Sequence, residues 1–148
     1  MPNMIVQLIY ISVSCGITVD KIENFFESAR QRNAEIDLAS ILLITDTCYI
    51  HCLEGSRADV SKKYNKISQD ARHSGCTILR FNDIAHREFS DFNAEFVRLS
   101  EFDNIEIDTI CPDGTIDPHS ITPLMAVTLI RRVAAHIRAD RLATHHNK

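Results

Sequence analysis

Apolar residues along this chain form continuous runs typical of strands and stripes typical of helices. Runs rich in β-branched and aromatic residues predict five strands, at residues 4–12, 41–44, 48–53, 76–81 and 92–99. The polar residues 45–47 separate the second and third runs and predict a hairpin connection. Because both of these runs are apolar on either side, we expect a sheet that is covered on both faces.

Two apolar stripes between the strand runs predict two helices. The first begins after Thr18, a capping residue, and its apolar positions recur at helical spacing through Val19, Ile22, Phe25, Phe26 and Ala29. The second begins at Ser56 with Asp59 three residues later, a capping-box-like start, and Gly75 is expected to end it. The resulting order of elements predicts an α+β, ferredoxin-like fold with a mixed sheet of about five strands and two helices on one face.

A third helix is predicted near the end of the chain, with Thr122 as its cap and Pro123 in its first turn. Its narrow apolar stripe is expected to pack on the sheet face that the first two helices leave open, or on a neighbouring subunit. His145 and His146 are expected to lie in a disordered polar tail. The predicted organisation is therefore a domain over residues 1–100, followed by a linker and helical cap over residues 101–148.

Composition narrows the classes of function. The 148 residues suffice for one domain, and a net charge of −4 with dispersed basic residues argues against a nucleic-acid partner. No apolar run reaches the roughly 18 residues that span a bilayer. The start of the chain lacks the basic region of a signal peptide, so we expect a cytoplasmic protein without membrane contact.

The cysteines and histidines do not form a metal or catalytic motif. Five cysteines at irregular spacing are expected to be reduced and buried: Cys15, Cys48, Cys52, Cys76 and Cys111. The seven histidines form no zinc motif, and the serines lack the Gly-x-Ser-x-Gly elbow of a hydrolase. We therefore expect no metal, no catalytic residues and no enzymatic activity.

One set of residues resembles a known family. A strand ending in Leu53-Glu54-Gly55 is followed, one helix later, by Asp70-Ala71-Arg72-His73, with Tyr10 on the first strand and Asn33 closing the first helix. In this order and spacing, residues 5–96 resemble a BLUF domain, the blue-light sensor that uses FAD. The layout is similar to that of the short, stand-alone BLUF proteins, in which a helical cap follows the core.

The resemblance implies an FAD slot between the first two helices. It gives photochemical roles to Tyr10 and to His51, which stands where the family has the glutamine that rearranges hydrogen bonds in light. An imidazole can bridge a tyrosine and a flavin, but it cannot reproduce the rearrangement of an amide. The cofactor-binding residues that the resemblance implies are Phe25, Arg32, Asn33, Lys66, Ile67, Asp70 and His73.

Two functional hypotheses follow. The first is an FAD-binding photoreceptor with an altered or impaired photocycle, which signals through protein contacts as a homo-oligomer or with a downstream protein. The second is a flavin-free, BLUF-like module for interaction or oligomerisation. The sequence also departs from the family at two further positions around the pocket, with Ala94 in place of methionine and Phe92 in place of tryptophan. Both hypotheses therefore remain.

Overall fold

A computed structural model describes residues 4–14, 37–69, 73–102, 106–111 and 114–146 of the chain. Its strands are β1 (Ile5–Ser14), β2 (Ala39–Ile44), β3 (Cys48–Ser56), β4 (His73–Ile84) and β5 (Glu95–Arg98). Its helices are α1 (Arg57–Ser68) and α2 (Pro123–His146), and short 3₁₀ turns occupy Leu99–Glu101 and Ile107–Thr109. The five predicted strands are confirmed, whereas the helix predicted after Thr18 lies outside the described residues.

The five strands form one sheet in the order β4-β1-β3-β2-β5. All neighbours are antiparallel except β2 and β5, which are parallel, so the sheet is mixed as predicted. In the β1–β3 register Tyr10 lies directly opposite His51, and Gln7 lies opposite Glu54. Because side chains alternate along a strand, these two pairs project from opposite faces of the sheet.

The two described helices cover opposite faces of this sheet. Val60 and Ile67 of α1 pack in one buried cluster with Leu8 and Tyr10 of β1. The alternate strand residues form a larger cluster with the apolar stripe of α2, which includes Ala126, Val127, Leu129, Ile130, Val133 and Ala134. This confirms the expectation that the C-terminal helix packs on the face left open on the other side of the sheet. No described helix is long and apolar enough to cross a bilayer.

The predicted end of the second helix is wrong. That helix, α1, ends at Ser68, whereas Gly75 lies in β4 with a φ of 57°. The β1–β4 register shifts between Ile11 and Val13, where β4 carries an extra residue. A bulge of this kind favours glycine because its backbone adopts a positive φ without a side-chain clash.

The predicted start of the third helix is confirmed, but its predicted end is not. Thr122 caps α2 by accepting a hydrogen bond at Oγ1 from the Met125 N–H, at 3.1 Å. The α2 backbone stays helical through His146, so the expectation of a disordered tail is wrong for His145 and His146. A helix of 24 residues extends readily by a further turn, because only the first turn carries the unfavourable free energy of nucleation and each added residue gains a hydrogen bond.

Gly55 lies one residue before the end of β3, where the chain turns into α1, and a side chain there would have to displace that of Leu38. A Cβ atom placed there would lie 2.8 Å from Leu38 Cδ1 and 3.6 Å from Val60 Cγ2. Close packing against Leu38 therefore explains the glycine in the Leu-Glu-Gly sequence of this strand.

Gly55→Ala is expected to lower the free energy of unfolding by about 1–3 kcal/mol, because the added methyl group overpacks the Leu38 contact. Urea denaturation measures the loss. In a Leu38→Ala background the same substitution should cost less, since the clashing methyl group is gone. An equal cost in both backgrounds would contradict this explanation.

Candidate functional site

The face of the sheet under α1 carries a buried phenol–imidazole pair. Tyr10 on β1 and His51 on β3 are 0 % and 4 % exposed, and Tyr10 Oη lies 2.7 Å from His51 Nδ1. Burial, followed by the nearby Cys76 and Tyr64, raises the pKa of Tyr10 well above its ordinary value. The phenol therefore keeps its proton. The contact fits either tautomer of His51, and we propose the direction in which the Tyr10 hydroxyl donates to Nδ1. The hydrogen of a neutral His51 ring is then on Nε2.

Tyr64 of α1 packs against this pair. Its ring lies edge-on to that of Tyr10, with centroids 5.2 Å apart and planes at 67°. Edge-to-face contacts of this kind stabilise a fixed ring orientation. The contact of Tyr64 with Tyr10 depends on how α1 crosses the sheet, which the sequence alone does not predict. Cys76 packs beside the same cluster and is half-buried, so the expectation that every cysteine is buried is wrong there.

The predicted site residues divide into three groups. Tyr10, His51 and Ile67 come together on the α1 face, with Ile67 buried at 5 % exposure. Lys66 is exposed in the last turn of α1. Phe25, Arg32, Asn33, Asp70 and the side chain of His73 lie outside the described residues, and their predicted roles stay predictions.

A smaller apolar cluster continues the same face beyond His51. Leu42 of β2 lies opposite His51, and it packs with Tyr49 and Ala94. Ala94 therefore belongs to this face, in agreement with its grouping around the pocket. Phe92 does not: it is buried in the α2 cluster, so grouping it with the same pocket was wrong. The chain crosses from one side of the sheet to the other between these two residues.

Comparison with known families identifies the family to which this fold and these site residues belong. A family model described as sensors of blue-light using FAD matches residues 5–95, and the chain belongs to this BLUF family. The family consists of sensors, in agreement with the prediction that this chain is not an enzyme. A search of curated proteins gave no match.

Solved BLUF structures share the fold. The dark-state structure of the BLUF protein BlrB is 25 % identical, with a TM-score of 0.74 over 92 % of this chain and 99 % of that chain. The photo-activated state of BlsA is 22 % identical, with a TM-score of 0.75 over 86 % and 93 % of the two chains. A bacterial light-regulated adenylyl cyclase is similar over 93 % of this chain but 36 % of its own, with 22 % identity and a TM-score of 0.67. The last two likenesses concern the fold alone.

The described wall of the site fits a flavin in chemical character. A flavin ring needs a mainly apolar slot with a few fixed polar groups. Tyr10, Tyr64 and Ile67 supply apolar surface, and the Tyr10–His51 pair supplies oriented polar atoms within it. Among the described residues no group of three or more histidine, cysteine or acidic side chains is placed to hold a metal ion.

Tyr10→Phe is expected to lower the free energy of unfolding by about 1–3 kcal/mol, because it leaves buried His51 Nδ1 without its donor. Tyr64→Phe is the matched control: it keeps the ring contact with Tyr10, and its expected cost is within about 0.5 kcal/mol. Urea denaturation of the two variants measures both values. Equal costs would show that the Tyr10 hydroxyl is not a donor on which the site depends.

Proposed function

We propose that this protein is an FAD-binding blue-light photoreceptor in which Tyr10 and His51 form the light-responsive pair and the photocycle is altered by the imidazole. The observation that carries the proposal is the 2.7 Å hydrogen bond between Tyr10 Oη and His51 Nδ1, buried on the α1 face. Membership of a family of sensors of blue-light using FAD supports the choice of light and cofactor.

The pair is arranged for proton movement. The bound flavin would supply the absorption of blue light and an electron acceptor. Oxidation of a phenol makes its proton strongly acidic, and Nδ1 lies within the distance over which a positioned base accepts a proton. His51 would then hold protons on both ring nitrogens, and return of the electron and of one proton to Tyr10 would restore the resting pair.

The imidazole is the reason to expect an altered response. An amide presents a carbonyl and an NH₂ group at one end, so its rotation exchanges an acceptor for a donor. Rotation of an imidazole instead exchanges nitrogen atoms for carbon atoms. In the Tyr10–His51 pair, a change of protonation therefore takes the place of a rotation. Such a change alters the charge of the site while the ring stays in its packed position.

The output is proposed to be a protein contact in the cytoplasm, with another copy of the chain or with a downstream protein. On α2, Leu124 and Leu142 are 71 % and 63 % exposed, and each is accessible to a partner as a separate point of contact and not as one apolar patch.

The test is the visible absorption spectrum of the purified protein, with FAD supplied during expression, before and after blue light. A flavin spectrum that changes reversibly in light is the expected result. A flavin spectrum without any light response would overturn the photochemical role of the pair. A colourless protein would overturn FAD binding and favour the flavin-free interaction module.

His51→Gln is expected to create or enlarge a light-induced red shift of the bound flavin, because it restores an amide that can rotate between Tyr10 and the ring. Tyr10→Phe in the same background should remove the response, since the phenol is its source of electron and proton. The light-minus-dark absorption spectrum measures both. An unchanged spectrum in His51→Gln would contradict the proposed position of this side chain.

A further inference from the structure

The connection between β4 and β5 is bonded both to the sheet and to the C-terminal helix. We name residues 87–94 the coupling loop. On one side it contacts the buried end of β3, and on the other it contacts arginines that project from α2. Except at Ala94, the described contacts of this loop lie on the face of the sheet opposite to the Tyr10–His51 site.

The sheet side of the loop is held by one carboxylate. Glu54 is 1 % exposed, and its Oε1 accepts a hydrogen bond from the Phe89 N–H at 2.7 Å. Its Oε2 accepts from the Glu88 N–H at 3.2 Å and from Gln7 Nε2 at 2.8 Å. Hydrogen bonds to a buried charge are strong, and removing the loop would leave that charge without two of its donors.

The helix side of the loop is held by arginines two turns apart. Arg131 pairs with Glu88, and Arg138 donates two hydrogen bonds to Asp91, at 2.7 and 2.8 Å. Arg138 also donates to the Glu88 carbonyl oxygen at 2.9 Å. The pKa of Asp91 is lowered, chiefly by its hydrogen bond with Arg138. These contacts fix both the backbone and the side chains of the loop relative to α2.

Aromatic contacts reinforce the helix side. The guanidinium groups of Arg138 and Arg141 lie 5.1 and 4.7 Å from the centroid of the Phe92 ring. Arg141 also donates to the Asp91 carbonyl oxygen at 3.1 Å and to Glu95 at 3.3 Å. A single exposed ion pair contributes little, but several charges with shared partners and buried rings act together.

We infer that the coupling loop is the element that transmits displacement of β3 to α2, and that Glu54 is its positioning residue. Glu54 lies three residues after His51 on the same strand, so movement of β3 at the site also moves the carboxylate. As a route for a light signal this inference rests on the proposed function. As a mechanical link in the dark it does not.

The test is hydrogen exchange of the full chain in the dark, read residue by residue. Glu54→Gln keeps the shape of the side chain but turns an NH₂ group toward N–H donors that the carboxylate accepts from. We expect the buried-stripe amides of α2 to exchange about tenfold faster or more, with β1 amides unchanged, because a local opening precedes global unfolding. Arg138→Lys should give the same selective effect by losing the paired contact with Asp91.

Arg132→Lys is the matched control, because Arg132 on the same helix donates to the Glu106 carbonyl oxygen and to Thr109 Oγ1 instead of the coupling loop. It should leave the exchange of the α2 stripe unchanged. Equal acceleration in β1 and α2, no acceleration, or the same effect in Arg132→Lys would each overturn the inference. If Glu54→Gln fails to fold, Arg138→Lys decides the question by the same criterion.

A second measurement separates this inference from the proposed function. In the flavin-loaded protein, illumination should change the exchange of α2 amides, and Arg138→Lys should abolish that change while the flavin spectrum still responds to light. A light effect on α2 that survives Arg138→Lys would overturn the loop as its route. If no flavin binds, the proposed function fails and the dark exchange experiment still decides the mechanical link.

Discussion

The antiparallel register of β1 and β3 is the constraint on which both faces of the protein depend. One alignment places Tyr10 opposite His51 under α1 and Gln7 opposite Glu54 toward α2. A slip of one residue would turn every side chain of the slipped strand to the other face. Apolar residues on both faces of these strands hold the register. A slip in either direction would move the residues of one buried cluster to the face of the other cluster. The polar pairs are therefore positioned by the packing around them.

The chain keeps the BLUF fold with His51 at the buried position opposite Tyr10. The ring occupies a buried position between β1 and β2 neighbours, and its Nδ1 lies 2.7 Å from Tyr10 Oη. Under the proposed function, an imidazole in that position would couple light chemistry to protonation, whereas an amide would couple it to rotation. On the α2 face, Glu54 of β3 is hydrogen-bonded to the coupling loop, and the loop is hydrogen-bonded to α2. Contacts therefore run without a break from β3 to the C-terminal helix.

The sequence predicted the elements that depend on local chemistry. Strand runs, the Ser56 and Thr122 caps and the opposite placement of the C-terminal helix follow from periodicity and capping, and the structure confirms them. Gly75 was misassigned because a helix end and a bulge both favour glycine, and only strand pairing distinguishes them. The contact of Arg138 with the coupling loop joins residues far apart in sequence, which periodicity cannot predict.

The central claim is that the Tyr10 hydroxyl keeps its proton and donates a hydrogen bond to His51 Nδ1, so that the hydrogen of the neutral imidazole is on Nε2. Nitrogen-15 NMR of the histidine-labelled protein in the dark tests this directly, with His51→Gln used to assign the signals. The account predicts an unprotonated Nδ1 that accepts a hydrogen bond and a protonated Nε2, with the Nδ1 shift moving in Tyr10→Phe. A proton found on Nδ1, or shifts unchanged by Tyr10→Phe, would contradict it.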